Sequence, residues 1–185
     1  MDLPADPLPL PNDVIAFWRD AGPERWFRKD ASFDAQFRQR FLAAHEAAAA
    51  VRLPDWEGTA DGALALLLLL DQFPRNAFRD TPRVYATDAQ ARDVARRAVE
   101  RGFDRTTEPP LRNFFYLPFM HSEQLADQER CAELTADAGD ETRRYALHHR
   151  DIIRRFGRFP HRNAVLGRAT TPEEAQFLAE GGFAG

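Results

Sequence analysis

The sequence predicts an all-α protein, and three observations support this fold class. Apolar residues recur at helical spacing along nearly all of the chain after the first 11 residues. Alternating apolar and polar runs are short and β-branched residues are sparse, so no strand is predicted. Proline and glycine interrupt the helical pattern at short intervals, which predicts antiparallel helical hairpins packed as a compact bundle or a short solenoid.

Length and composition limit the protein classes that fit. A chain of 185 residues corresponds to one domain, predicted at 12–185 behind an extended, proline-rich arm at 1–11. The single Cys131 excludes an internal disulfide, and the net charge of −4 argues against a nucleic-acid partner. The longest apolar run, at 63–70, is too short to span a membrane, and the start does not resemble a signal peptide. We therefore expect a cytoplasmic protein.

Apolar stripes and the residues that stop them define the first three helices. A short first helix is predicted around residues 14–18, and a second begins near Ser32 and ends before Pro54. The third runs from about 61 to 73 and is apolar on all sides, so it should be central and buried, with Pro74 as its end. The stripe of the second helix comprises Phe33, Phe37, Phe41, Ala44 and Ala48.

Capping residues and prolines divide the next part of the chain. A fourth helix is predicted to begin at a capping box formed by Thr87 and Gln90 and to end at Gly102. A short helical piece follows at 109–116. A longer helix is then predicted at 118–138, since Pro118 is well placed to begin one.

The last two predicted helices carry clear start and stop signals. The sixth runs from Asp140 to Gly157. The last begins at a second capping box, Thr171 with Glu174, and ends at Gly181. The inward stripe of the sixth helix comprises Tyr145, His149, Ile152, Ile153 and Phe156.

Asp71 is the first candidate for chemistry because it ends the apolar third helix in line with its leucines. A carboxylate in such a place must be paired or protonated. Arg75, four residues on, is the nearest candidate partner. Two interpretations stay open, a buried Asp–Arg clamp that fixes the turn and a carboxylate that serves a site.

His121 and Glu123 follow Pro118 at a spacing of two residues, which places them on opposite sides of a helix. They cannot both bind one metal from this turn, and no metal site is predicted. His121 instead aligns with Gln128 on a face that mixes apolar and polar groups, as a buried polar network or the wall of a pocket would.

The segment from Arg154 to Arg168 is the one strongly positive part of an acidic protein. Aromatic residues interleave its arginines, and no acidic residue lies between Ile152 and Thr171. Internal pairing with carboxylates and capture of an anion both explain this pattern, and both stay open. We expect this segment to be partly buried, whereas His121 and His149 should be mostly buried.

Three strings carry a resemblance to a known family: 70–76 (LDQFPRN), 117–123 (LPFMHSE) and 155–163 (RFGRFPHRN). The first and third share an echo in which Phe-Pro precedes an Arg-Asn pair. The chain resembles, from about Val14 to Phe183, the bacterial family called "domain of unknown function 924". The resemblance implies an all-helical fold of the tetratricopeptide-like superfamily, and it implies no activity.

The leading hypothesis is a polar pocket that binds a small anionic ligand, a carboxylate or a phosphate, with no cofactor; enzymatic activity and oligomeric state stay open. At least one of Arg75, Arg158 and Arg162 should pair with Asp71 or Glu123. The alternatives are a peptide-binding or scaffolding module and a purely structural ion network. The predicted ligand-binding residues are Asp71, Arg75, Asn76, Gln128, Arg158, Arg162 and Asn163. The candidates for acid or base are His121, Glu123, His149 and His161.

Overall fold

The protein is all-α throughout residues 7–184, the part of the chain that its computed structural model describes. The predicted fold class is confirmed, and the tetratricopeptide-like arrangement stays a prediction. None of the described helices is long and apolar enough to cross a membrane. The α-helices are α1 (Pro11–Ala21), α2 (Pro23–Trp26), α3 (Ala31–Ala49), α4 (Ala60–Leu67), α5 (Phe73–Ala77), α6 (Asp88–Glu100), α7 (Phe103–Thr106), α8 (Leu117–Met120), α9 (Leu125–Leu134), α10 (Asp140–Phe156) and α11 (Pro172–Ala179).

Helix α1 begins one residue before the predicted start of the domain at residue 12. Pro11 is the first residue of α1, a position where its missing N–H is not needed. The Asp13 carboxylate accepts a hydrogen bond from the Leu10 backbone N–H at 2.7 Å, which closes the first turn. Residues 1–6 of the predicted arm lie outside the described part of the chain. The division into an arm and one domain stays a prediction.

Helix α3 begins after Asp30, whose Oδ1 accepts the backbone N–H groups of Ser32 and Phe33 at 3.0 and 3.1 Å. All five residues of its predicted stripe are buried. The helix ends with Val51 at φ 55°, in the left-handed region. Here the Val51 N–H donates to Ala48 and the next N–H, that of Arg52, to Ala47. This is a Schellman ending in which valine occupies the position that favours glycine.

The predicted third helix is buried as expected, but Pro74 does not end it. Every residue from Gly62 to Pro74 is buried. Helix α4 continues into a π-turn at Leu68–Gln72, in which the Phe73 N–H donates to the Leu68 carbonyl. Helix α5 then starts afresh at Phe73, so Pro74 occupies its second position, where no N–H is required. The prediction that Pro74 terminates the helix was wrong.

Aromatic rings fill the space between α1, α3 and the buried helix. The fully buried Phe37 ring has Trp18, Phe41 and Phe73 within 5.7 Å, centroid to centroid. Phe17 and Phe33 complete this shell. Such pairs add to the stabilisation that comes from burying apolar area.

The capping box predicted at Thr87 is wrong. Helix α6 begins at Asp88, but the Thr87 side chain caps no backbone N–H. Its hydroxyl donates instead to the Leu70 carbonyl at 2.5 Å, and the Gln90 amide donates to the Ala48 carbonyl at 2.8 Å. Both side chains therefore tie α6 to neighbouring helices.

The long helix predicted at 118–138 is interrupted by a turn. Helix α8 ends at Met120 and α9 starts at Leu125, so the predicted alignment of His121 with Gln128 does not exist. The buried Gln128 amide donates to the Met120 and Ser122 carbonyls at 2.6 and 2.7 Å. It satisfies carbonyls that the end of α8 leaves free.

The C-terminal helices match their predicted signals closely. Helix α10 starts at Asp140 as predicted, and Gly157 ends it at φ 70°. The Thr171–Glu174 capping box is confirmed, with its two bonds at 3.2 and 2.8 Å. The inward placement of Tyr145 was wrong, since this residue is 44% exposed.

Candidate functional site

The two Phe-Pro segments meet at Asp88, the first residue of α6. Arg75 binds the Asp88 carboxylate with both terminal nitrogens, at 2.9 and 3.1 Å. Arg162, from the second segment, approaches the same carboxylate at 3.5 Å. We did not predict a role for Asp88, because nothing in its local sequence distinguishes it from an ordinary acidic residue in the first turn of a helix.

Asp71 lies at the centre of this arrangement and is 1% exposed. Its Oδ1 accepts a bond from His121 Nδ1 at 2.8 Å and lies 3.3 Å from Arg75 Nη1. Gln72 donates to Oδ2 at 2.6 Å. Burial alone would raise the pKa of Asp71, but Arg75 and His121 hold it well below its usual range. The carboxylate is therefore ionised, and the predicted pairing with Arg75 is confirmed.

Three side chains, from α3, from α5 and from the residue before α6, fix the π-turn that carries Asp71. His45 Nδ1 donates to the Leu69 carbonyl at 2.9 Å, and Thr87 donates to the Leu70 carbonyl at 2.5 Å. Arg75 donates to the Asp71 carbonyl at 2.7 Å. Three successive carbonyls thus bind side chains. Sequence reasoning missed His45 and Thr87 because each lies far along the chain from its acceptor.

His121 forms a carboxylate–imidazole pair with Asp71. Since Asp71 is ionised, His121 Nδ1 carries the hydrogen and donates it. Burial, together with the positive charge of Arg75, lowers the pKa of His121 below its usual value, despite the opposing effect of Asp71. The neutral ring then has its lone pair on Nε2, for which residues 7–184 offer no hydrogen-bond partner. Its side chain is 17% exposed.

Arg162 is buried between two aromatic rings, within a segment that is partly buried as predicted. Its guanidinium carbon lies 4.4 Å from the Tyr85 ring centroid and 4.6 Å from that of Phe159. Nη2 donates to the His121 backbone carbonyl at 2.9 Å. Its Nε is buried and has no partner within the described chain. Burial, with the nearby Arg75, lowers the pKa of Arg162.

Glu123 holds the turn after α8 against the segment after α10. Its carboxylate binds Arg168 at 2.7 and 3.0 Å and accepts the Phe159 backbone N–H at 2.8 Å. Burial raises the pKa of Glu123, but these partners outweigh it and lower that pKa below its usual value. An ionised, fully engaged carboxylate suits a positioning role better than that of a proton donor.

Three other predicted ligand-binding residues bind protein groups away from Asp71. Arg158 pairs with Glu174 of α11 at 2.6 Å. Asn163 donates to the same carboxylate at 3.2 Å. Asn76 donates to Asp34 of α3 at 2.7 Å. With the capping role of Gln128, these contacts give each side chain a structural partner.

His149 and His161 form a neutral, aromatic wall beside this network. His149 is 6% exposed and its Nδ1 donates to the Tyr145 carbonyl at 2.8 Å. Burial lowers the pKa of His149 to about 3. Burial and the adjacent Arg162 lower the pKa of His161 to about 4. The Phe183 ring lies 4.5 and 5.1 Å from the two imidazole centroids.

The charges of this network balance. Four carboxylates face four arginines, and each lies within 3.5 Å of a partner of opposite charge. Within residues 7–184, no three histidine, cysteine or acidic side chains are arranged to hold a metal ion. The carboxylates are Asp71, Asp88, Glu123 and Glu174, and the arginines are Arg75, Arg158, Arg162 and Arg168.

Two surface depressions lie elsewhere. One, of about 250 Å³, lies between α6 and α9 and is lined by Phe119 and Asp127 among others. The other, of about 300 Å³, lies between α1 and α3 beside Phe17 and Phe33. Neither is lined by a predicted site residue, so the predicted pocket stays a prediction.

Fold and site together define an all-α protein with an ion network buried around a histidine–carboxylate pair. Residues 14–182 match the family described as "Bacterial protein of unknown function (DUF924)", and the chain belongs to this family, as its motif strings predicted. It is similar to a solved structure of a protein of unknown function from Agrobacterium tumefaciens. The two are 52% identical, with a TM-score of 0.90 over 92% of this chain and 97% of that chain. No curated protein matches the chain.

Proposed function

We propose that the chain binds a small anion, a carboxylate or a phosphate, at Arg162, and that the Asp71–His121 pair serves this site as a general base. The observation that carries the proposal is the buried Nε of Arg162, which has no partner within residues 7–184. A buried, unpaired donor on a charged group is costly, and an acceptor on a ligand would remove that cost.

Arg162 is the arginine of the network with donors to spare. Its nearest carboxylate oxygen, on Asp88, lies at 3.5 Å, whereas Arg158 and Arg168 have theirs at 2.6 and 2.7 Å. Asp88 is already bound by Arg75 through both oxygens. The rings of Tyr85 and Phe159 cover the guanidinium, which leaves its edge for hydrogen bonds.

His121 has the properties that a general base requires near neutral pH. Its ring is neutral, its Nδ1–H is held by a carboxylate, and its Nε2 lone pair is free of protein donors within the described chain. The Arg162 Nη2 bond to the His121 carbonyl joins the anion-binding arginine directly to the turn that carries this base. A proton on the bound ligand, or on a water molecule beside it, is what such a base would accept.

The balanced charges favour a second candidate, in which the network is purely structural. Four carboxylates and four arginines neutralise one another without a ligand. Buried ion pairs of this kind can specify one packing arrangement while adding little stability. This candidate predicts that no small anion stabilises the fold.

Thermal melting in matched salts separates the two candidates. At constant ionic strength, phosphate or acetate in place of chloride should raise the melting temperature of the native protein. Arg162→Lys keeps the charge but not the forked donors, so ligand affinity should fall by about tenfold to a hundredfold. Arg130→Lys is the matched control, because Arg130 is exposed and its one ion pair within residues 7–184 is with Glu133. If no anion shifts the native protein, the structural candidate stands.

NMR on the same samples tests the base. The imidazole ¹⁵N signals should show His121 as the neutral tautomer with hydrogen on Nδ1 at pH 7. The Nε2 signal should move as phosphate is added, while that of the exposed His148 stays. A His121 ring that is doubly protonated at pH 7, or that carries its hydrogen on Nε2, would contradict the assignment.

A further inference from the structure

Tyr85 carries another polar group of the network that has no hydrogen-bond partner within residues 7–184. This half-buried residue ends the 3-10 turn Pro82–Tyr85, just before α6. Its ring faces the Arg162 guanidinium at 4.4 Å and that of Arg75 at 5.9 Å. The charges of both arginines, of Asp88 and of Glu123 all act on its hydroxyl, yet no described residue forms a hydrogen bond with it. A donor that lies among four charges and binds none of them is free to meet a ligand.

We infer that Tyr85 donates its hydroxyl hydrogen to the anion held by Arg162 and thereby selects oxyanions over halides. The inference rests on the proposed function and deepens it. Arg162 offers Nε to one acceptor atom and Tyr85 offers O–H to another, so the preferred ligand presents two or more acceptor oxygens. Carboxylates and phosphates have such oxygens, and a chloride ion cannot reach two separated donors as well.

Tyr85 and His121, which both contact Arg162, have environments that shift their pKa values in opposite directions. Burial raises the pKa of Tyr85, despite the nearby arginines, so the phenol keeps its hydrogen at neutral pH. Burial lowers the pKa of His121, so the imidazole stays ready to accept one. Such divergence is typical of a site in which one group donates and another accepts.

Packing against Arg162 is a competing role for Tyr85. The ring covers the guanidinium, and a ring without a hydroxyl would do this equally well. Tyr85→Phe therefore removes only the donor and separates the two roles. Tyr145→Phe is the matched control, since Tyr145 is 44% exposed and lies on α10.

Calorimetric titration with inorganic phosphate and with acetate tests the inference. Tyr85→Phe should weaken oxyanion binding about tenfold, while its melting temperature without ligand and any chloride binding stay at native values. Tyr145→Phe should bind as the native protein does. In protein labelled at the tyrosine ζ-carbon, phosphate should move the Tyr85 signal and leave the other two of the three tyrosines in place.

The outcomes are distinct. Native affinity in Tyr85→Phe, or a Tyr85 signal that stays put while phosphate binds the native protein, overturns the role of Tyr85 and leaves the proposed function intact. If the native protein binds neither phosphate nor acetate, the proposed function fails and this inference fails with it.

Discussion

The N-terminal and C-terminal sides of the molecule are held together by different means. Around Phe37, helices α1, α3 and α4 bury a continuous cluster of aromatic and aliphatic side chains. Behind α10, the apolar cluster is small, with Ile152, Ile153 and Phe159 as its buried members. Ion pairs and hydrogen bonds make up the difference there. The contrast indicates that most of the pH dependence should come from the ionic side, although burial also lowers the pKa of His45 on α3.

The two sides also differ in the sequence distance between partners. The stripe of α3 arises from residues three and four positions apart, so local spacing defines it. On the ionic side, Asp71 and His121 are 50 residues apart, and Asp88 and Arg162 are 74 apart. Local residue spacing therefore defines the stripe on the apolar side. The contacts of the ionic side form only when distant segments of the chain come together.

The largest expected effect is on the apolar side. Phe37→Ala removes a fully buried ring and leaves a cavity, which should lower the free energy of unfolding by about 3–5 kcal/mol. Urea unfolding at pH 7 and at pH 5 should give the same loss, because no charge is involved. Phe27→Ala, at a ring that is 70% exposed, should cost far less. If the loss of unfolding free energy were larger at pH 5 than at pH 7, the two sides would not differ in pH dependence as proposed.

The ionic side should produce the pH dependence. The pKa of His149 is about 3 in the folded protein, and an unfolded histidine has a pKa near 6.5. Between these values the unfolded chain binds the extra proton. Stability from this group is therefore complete above pH 6.5 and is lost as pH falls, by up to about 1.4 kcal/mol per pH unit.

His149→Phe should remove that proton and flatten the slope of the unfolding free energy between pH 6.5 and pH 4. The ring of the replacement can still pack against Phe159 and Phe183. Urea unfolding across this pH range measures the slope, and the exposed His148→Phe is the control. An unchanged slope in His149→Phe would show that the ring is protonated in the folded protein.

The smallest expected effect is a gain in stability from a substitution at the end of α3. Val51 is 66% exposed and adopts φ 55°, a conformation that costs a β-branched residue more than it costs glycine. Val51→Gly should therefore raise the unfolding free energy by about 0.5–1 kcal/mol, equally at pH 7 and pH 5. Ala50→Gly, at φ −84°, should instead lower it, since alanine fits there without strain. Thermal melting of the two variants shows whether each one is more or less stable than the native protein.

Local sequence signals were sufficient to predict most of the helices but only part of the candidate site. Thr171 with Glu174 forms the capping box that its spacing predicted, whereas Thr87 with Gln90 has the same spacing and does not. The difference is tertiary: Thr87 meets the free carbonyl of Leu70, a better partner than the N–H groups of its own helix. Spacing along one segment carries no information about such a distant acceptor.

The candidate site likewise contains contacts that the sequence predicts and contacts that it does not. The pairing of Asp71 with Arg75 was predictable because a buried carboxylate needs a partner and the arginine lies one turn away. Asp88 and Tyr85 were not, since Arg162, which contacts both, lies 74 residues beyond Asp88 along the chain. The interruption of the helix after Met120 hid the orientation of His121, because the helical period does not continue through a turn.

The π-turn at Leu68–Gln72 decides which way the end of the buried helix faces. A π-turn holds one residue more than an α-turn, so side chains after Leu68 are rotated by about 100° from their places on an unbroken helix. If the same residues formed a regular α-helix instead, Asp71 and Arg75 would turn to a different face from His121, whereas deleting one residue as well would return Arg75 to its present face. Many conservative exchanges among the leucines would leave that geometry intact. The turn therefore holds one residue more than a regular helix needs, and this surplus residue sets the face on which the carboxylate lies.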